Sequence, residues 1–513
     1  MSDAPRLKDG QTLWLLAATF TVAVAGLVYE LIAGAVSSYL LGDSVTQFSM
    51  VIGVFMTSMG LGAWASRYVT RAERGFTLSQ IMLGIVGGFS APALFLAYGY
   101  LDGLQLILFA IVIAIGALSG LEIPLITRIL TERGAMTHTL SSVLTADYAG
   151  ALVAAVAFPL LVVPQLGLMA ASLVFGLLNL LVAGVSVWVF RDQIGWGLRA
   201  AWGFGLVACV AGLIWADRLV SLADAAFFDD DVVFSEETPY QRIVVTRWKD
   251  RYRLFLNGSI QFDTLDEHRY HEALIHPAMA RLSRHKDVLI LGGGDGMAVR
   301  EVLRWPDVEQ VTLVDLDPRV VELFRDNGEL AALNGGALSD PRVKVHAEDA
   351  WTFVRDDQGS YDLIVLDLPD PQDFAVSKLY SREFYAPLVE RVATNGAIVS
   401  QAGSPLFARN AFWSVVRTMA ETRNPYAVEG ALNVTPYHAY VPSFGDWGFV
   451  LASPKVLPNP DTLPPGLKFF TPEIWPVMTT FAKDMRPTDA EANTILSHPL
   501  VRYYETGWAE WMN

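Results

Sequence analysis

The chain has 513 residues, of which 52% are hydrophobic and only 18% charged, and its mean hydropathy is positive. Soluble domains carry about 25% charged residues, so this composition excludes a disordered chain, a coiled coil or a collagen-like fibre, and a single cysteine, Cys209, excludes a disulfide scaffold. With 37 basic against 53 acidic residues the net charge is −16, which argues against a nucleic-acid partner and for cationic ligands.

The charge is unevenly spread. Residues 1–230 hold 10 Lys/Arg and 14 Asp/Glu, whereas residues 231–513 hold 27 and 39. The first part contains seven apolar runs, at 12–33, 47–66, 79–100, 105–127, 142–163, 168–190 and 200–216. A helix needs about 20 apolar residues to cross a bilayer, so residues 1–228 are expected to form a multi-pass membrane domain with the lipid bilayer as partner; the last run is the marginal one. Arg6 and Lys8 precede the first run, Arg67, Arg71 and Arg74 follow the second, Arg128 and Arg133 the fourth, and Arg191 and Arg199 flank the loop before the seventh. The intervening loops, near Gly42–Thr46, Gly99–Gly103 and Pro164–Gly167, lack Lys and Arg, which predicts a cytoplasmic N-terminus. Glu30, Glu122 and Asp147 fall within or at the ends of apolar runs. An acid in a membrane is costly and reads either as a cation or proton site, or as an interfacial group bonded to neighbours such as Tyr29 and Tyr148.

Beyond residue 228 the pattern changes. Residues 229–285 alternate as strands, with a hairpin turning at Lys249-Asp250, a second tight turn at Asn257-Gly258, and a helix in "DEHRYHEALIHPAMARL". Residues 286–455 repeat strand, turn and helix: "KDVLILGGGDGMAVREVLRW", "VEQVTLVDLDPRVVELFRD", "VKVHAEDAWTFVRD" and "YDLIVLDLPDPQ", with later strands in "NGAIVSQAGSP" and "WGFVLASP". This predicts an α/β Rossmann-like domain with a mostly parallel sheet and ligands at the strands' C-terminal ends. Residues 456–513 are Pro-rich and then helical, and are expected to pack on the domain or the membrane surface.

Gly292 to Gly296 form a glycine-rich turn ahead of a helix, where backbone can approach a ligand closely. Asp315, about 20 residues on at the end of the next strand, is placed to accept from ribose hydroxyls. Asp349, after Glu348 at the third strand's end, fits an adenine amino group or the N-cap of the next helix. Asp367 and Asp370 flank a proline turn after the fourth strand, where they could hold a cation and take its proton; Tyr270, His271 and Glu272 add a phenol, an imidazole and a carboxylate. NAD is disfavoured, because G-x-G-x-x-G is absent.

The motifs "LNGSIQFDTLDEHRYHEALIHPAM", "ILGGGDGMAVREVLRW", "VTLVDLDPRVVE", "AEDAWTFV" and "YDLIVLDLPDP" resemble the polyamine aminopropyltransferases, the spermidine synthases, over about residues 232–455, and the apolar part resembles their membrane-integrated bacterial branch. The resemblance implies transfer of an aminopropyl group from decarboxylated S-adenosylmethionine to an amine such as putrescine, with no tightly bound cofactor and no metal. It implies that Asp315, Asp349, Glu348, Gln241, Gly292, Gly294 and Asp295 serve the nucleoside donor, with Asp295 at its aminopropyl end. Asp367 would be the base, with Tyr270 and Asp370 beside the reacting amine, and His271, Glu272 and Tyr440 on the acceptor side. Soluble relatives pair, so a homodimer is among the expected partners.

Three positions depart from the family. Met297 stands where a glycine is usual and is expected to crowd the donor's tail; His271 replaces a glutamine; and the Tyr440–Phe449 loop carries an extra residue. Two other functions therefore stay in view: another SAM-using enzyme (methyltransferase, lyase or cyclase), and a non-catalytic polyamine-binding or transport protein. The expected location is a bacterial plasma membrane. Seven crossings from a cytoplasmic N-terminus would export the catalytic domain, whereas its donor is cytoplasmic; the short seventh run is the weaker constraint, so a cytoplasmic catalytic domain is expected.

Overall fold

A computed structural model of the chain describes residues 9–41, 44–100, 103–132, 139–423 and 431–512. The chain divides into two compact units, Met1–Val232 and Val233–Asn513. Arg6, Lys8 and Arg133, used above for orientation, lie outside the described residues, as does part of two of the uncharged loops.

The first unit is helical. Among the described residues, six helical segments are long and apolar enough to cross a membrane: Leu13–Ser38, Thr46–Tyr68, Ala72–Tyr98, Leu104–Glu132, Leu140–Val189 and Trp196–Ile214. The fifth holds two of the seven apolar runs. At about 1.5 Å per residue its 50 residues exceed twice a bilayer's hydrocarbon thickness, and Gly167 breaks it with φ 65° and ψ 174°. Small residues let the helices meet closely: a Cβ on Gly176 would stand 2.6 Å from both the Gly84 carbonyl oxygen and the Gly88 Cα. Arg74 donates to the Gln193 carbonyl, Arg128 to that of Ser66, and Arg199 to that of Arg191, which gathers three of the basic loops at one end of the unit. Polar pairs also cross between helices inside it, including Thr77 with Ser186 at 2.7 Å and Asn179 with Tyr29 at 2.9 Å.

The second unit contains two sheets. Strands β1 (Asp231–Glu237), β2 (Arg242–Trp248), β3 (Arg251–Leu256) and β4 (Ser259–Asp263) pair in sequence order. Lys249, Asn257 and Gly258 take positive φ in the two tight turns, as Asn-Gly chemistry favours. The larger sheet uses β5 (Asp287–Gly292), β6 (Gln310–Asp315), β7 (Val343–Ala347), β8 (Tyr361–Asp367), β9 (Val392–Gln401), β10 (Asn433–Val441) and β11 (Gly445–Ser453), in the order β10-β11-β9-β8-β5-β6-β7. Five strands are parallel, and β11 and β10 close one edge antiparallel. This is the expected Rossmann-like fold. The chain winds outward from β5 through β6 to β7, then returns to β8 on the other side of β5, so the strand order reverses between β5 and β8. Ligands bind at such a switch point.

Apolar strand interiors bury both faces: Val288 to Leu291 and Leu363 to Leu366 are at most 1% exposed. The C-terminal segment belongs to the same body. Phe470, Trp475 and Met478 join the core on one face of the sheet, and Ala490 and Leu500 the core on the other.

Candidate active site

A cavity of about 420 Å³ opens at the C-terminal ends of β5, β6 and β8, with Leu254, Leu256 and Ile260 of the small sheet on its wall. Its size suits a small-molecule ligand.

The glycine turn sets its floor. Gly292, at φ 82°, pairs in register with Asp367 across the switch point, and a Cβ there would lie 2.1 Å from the Asp367 carbonyl oxygen. Gly294 N donates to Asp315 Oδ2 at 2.9 Å, and a Cβ on Gly294 would stand 2.7 Å from the same oxygen. Glycine is therefore required at Gly292 by the neighbouring Asp367 backbone and at Gly294 by the Asp315 carboxylate. Asp315 Oδ1 accepts from Asp317 N, so two backbone amides fix its carboxylate at the cavity edge. Burial raises its pKa to about 6, while those amides pull the other way.

Asp295 accepts from Met297 N at 2.9 Å; burial pushes it to about 6, with the His271 charge opposing. Asp367 accepts the Tyr270 phenol proton at 2.7 Å, and burial raises its pKa against the pull of His271 and that phenol. Asp370 accepts from Tyr504 Oη at 2.7 Å and from Gln401 Nε2 at 3.3 Å; burial pushes it to about 6, and these two donors hold it down. Gln401 is itself fixed, because Nε2 also reaches the Leu368 carbonyl and Tyr380 Oη while Oε1 accepts from Gly403 N.

His271 lines the cavity, with Nδ1 turned 2.9 Å from Glu267. Burial lowers its pKa, but the Glu267 carboxylate outweighs that and lifts it to about 9. Burial would raise Glu267, yet His271 and Arg300 bring it to about 2, so the pair is ionised at neutral pH. Asp349 caps the helix Ala350–Asp356 through Trp351 N, and its other oxygen meets Lys378 Nζ at 3.2 Å. Gln241 donates to Asp317 Oδ2 at 3.1 Å and borders the cavity.

Four expectations need correction. Glu272 faces away from the cavity: its two oxygens accept from the backbone N–H groups of Lys468, Phe469 and Phe470, each at 2.8 Å, and so anchor the C-terminal segment. Tyr440 is 59% exposed and outside the cavity lining; Phe444 and Trp447 from the same hairpin take that wall. Glu348 is not in the lining either; its backbone N–H donates to the Asp315 carbonyl at 3.0 Å. Met297 is fully buried in the core and does not crowd the cavity, because the helix it begins turns that side chain inward. Conversely, Tyr504, Gln401 and Lys378 escaped the reading from sequence. Tyr504 comes from the far end of the chain, and only the tyrosines in "VRYYE" on an otherwise amphipathic helix hinted at it.

Fold and site together define a Rossmann-like small-molecule domain whose pocket is dominated by carboxylates. Comparison with known proteins narrows the class. Residues 267–461 match the family model "Spermine/spermidine synthase domain". Polyamine aminopropyltransferase 2 of Ralstonia nicotianae is 44% identical over 506 residues, covering 96% of this chain and 98% of its own. The polyamine aminopropyltransferase of Leptospira interrogans is 41% identical over 490 residues, covering 95% and 97%. A solved spermidine synthase in complex with the transition-state analogue AdoDATO is 24% identical, with a TM-score of 0.44 over 50% of this chain and 88% of its own. The chain belongs to the polyamine aminopropyltransferase family of transferases. Alignments of this length take in the apolar unit as well as the α/β unit.

Proposed function

We propose that the protein transfers the aminopropyl group of decarboxylated S-adenosylmethionine to a primary amine of a polyamine, putrescine being the simplest acceptor, and releases methylthioadenosine. One observation carries this reading. The carboxylates of Asp295, Asp315, Asp367 and Asp370 face one cavity, while its two basic lining groups, His271 and Lys378, are each matched by an acid, Glu267 and Asp349. The excess negative charge suits a ligand pair that is a sulfonium and an ammonium.

In this reading Asp315 accepts from the ribose hydroxyls, Gln241 and the glycine turn border the nucleoside, and Asp349, which lines the same cavity, accepts from the adenine amino group. Asp295 holds the donor's terminal ammonium. An alkylammonium has a pKa near 10.4 by analogy with lysine, so it must lose a proton before it can attack. Asp367, oriented by Tyr270, takes that proton. The free amine then displaces sulfur at the adjacent carbon: an N–C bond forms, the C–S bond breaks, and methylthioadenosine leaves as a neutral thioether without needing an acid. Asp370 holds the acceptor's charge beside it, and alignment of amine, carbon and sulfur supplies much of the rate. Mass analysis of the amine product from purified full-length protein, given putrescine or spermidine, names the acceptor; an aminopropylated amine supports the reading and an unmodified amine with donor consumed opposes it.

We also place the apolar unit in a bacterial plasma membrane, with the N-terminus and the catalytic unit cytoplasmic. Donor supply supports that side, and it requires an even number of crossings; the 19-residue Trp196–Ile214 segment is the shortest candidate. A C-terminal reporter fusion active in the cytoplasm is the expected result; activity only outside would defeat the placement.

A further inference from the structure

The membrane unit carries polar chemistry that anchoring does not need. Glu122 is 7% exposed and sits where the Leu104–Gly120 helix gives way to Glu122–Glu132. Among the described residues no Lys, Arg or His pairs with it; Gln80 Nε2 donates to Glu122 Oε1 at 2.7 Å. A lone carboxylate charge in such surroundings is costly, so it must carry a proton or hold a cation.

The neighbours are acceptors. Gln80 and Asn179 are fully buried and Ser119 is 8% exposed, yet Gln80 Oε1, Asn179 Oδ1 and Ser119 Oγ have no hydrogen-bond partner. Gln80 lies directly on Glu122, Ser119 one turn before it, and Asn179 on Tyr29, which with Asn179 extends the polar interior along the bundle. Helix-to-helix adhesion is served when such groups bond one another, as Thr77 and Ser186 do. Adhesion leaves unexplained why oxygen acceptors beside a carboxylate should lack donors, since a buried polar atom without a partner costs about 1–3 kcal/mol. A positively charged group beside Glu122 supplies what the carboxylate and the Gln80 amide oxygen lack.

We infer that Glu122, Gln80 and Ser119 form a site for a small cationic group within the membrane unit, either an alkali ion or the ammonium head of an alkylamine, in exchange for the Glu122 proton. Asp147 is the other acid within electrostatic reach. The site does not depend on the catalytic reading.

The test uses the full-length protein in detergent and dicyclohexylcarbodiimide, which modifies protonated carboxyl groups in apolar surroundings, with the adduct at Glu122 counted by peptide mass spectrometry. The expected result is labelling of Glu122 that falls severalfold with sodium or with putrescine at constant ionic strength, whichever the site takes, and is unchanged in Asp370→Asn. Thermal unfolding gives a second readout, taken with the acceptor side of the catalytic pocket disabled: the same cation raises the Tm of Asp370→Asn, but not of the double variant Asp370→Asn/Glu122→Gln, which keeps an acceptor for Gln80. No labelling of Glu122, labelling indifferent to every cation, or a cation-dependent Tm shift that survives in the double variant Asp370→Asn/Glu122→Gln would overturn the inference.

Discussion

The Tyr504 phenol donates to Asp370 Oδ2 at 2.7 Å across 134 residues of sequence, from the C-terminal helix onto an aspartate that lines the cavity. The C-terminal segment thus bonds a residue of the pocket as well as covering its domain. Burial pushes Asp370 to about 6, and the Tyr504 phenol is the foremost group opposing it. Activity that needs Asp370 ionised should rise with pH through about 6. Tyr504→Phe removes a donor that favours the ionised form, so its acid limb moves to higher pH, with KM for the amine raised about tenfold and donor affinity kept. A pH–rate profile checks this; an unmoved limb would assign Tyr504 to packing alone.

Asp367→Asn keeps the shape of the site and an acceptor for the Tyr270 phenol but cannot take a proton. We expect kcat to fall by about 10²- to 10⁴-fold, while binding of methylthioadenosine, measured by calorimetry, changes little. Loss of both together would point to a structural role.

Gly294→Ala places a methyl group against the Asp315 carboxylate, 2.7 Å from Oδ2. The carboxylate must turn away, so the nucleoside donor should bind about tenfold or more weakly, roughly 1.4 kcal/mol, with little change in amine KM. Equal donor affinity would remove Asp315 from the ribose.

Glu272→Ala leaves three backbone N–H groups, of Lys468, Phe469 and Phe470, without their acceptor. On the order of 3 kcal/mol should be lost from the anchoring of the C-terminal segment. Limited proteolysis should then cut near residues 464–470 in the full-length variant and not in the wild type. Because Tyr504 lies downstream, activity should fall with that cleavage even though Glu272 does not touch the cavity.

What could be read from sequence was local. The strand ending in Gly292, the glycines after it and Asp315 at the next strand's end are fixed by hydrophobic runs and turn chemistry within about 25 residues, and the fold places them as spacing predicts. Asp367 follows the same logic, since the register pairs it with Gly292. The errors were non-local. Glu272 reads as a site acid until the chain returns nearly 200 residues later to present three amides to it. Gln401 and Tyr504 act on Asp370 from another strand and from the last helix, which no spacing rule connects. Met297 was misjudged for a different reason: a turn motif shows where a helix begins, not which way its first side chain points. In the apolar unit, Pro164–Gly167 read as a loop between spans, and the structure instead carries helix up to a single broken residue, Gly167.

The central claim is tested most directly by methylthioadenosine release from the purified full-length protein, crossing decarboxylated S-adenosylmethionine and S-adenosylmethionine with putrescine, spermidine and no amine, with Asp367→Asn as control. The account predicts release from the decarboxylated donor only, dependent on an amine and lost in the variant. Release from S-adenosylmethionine without an amine would contradict it and assign the acidic pocket to a lyase or cyclase reaction.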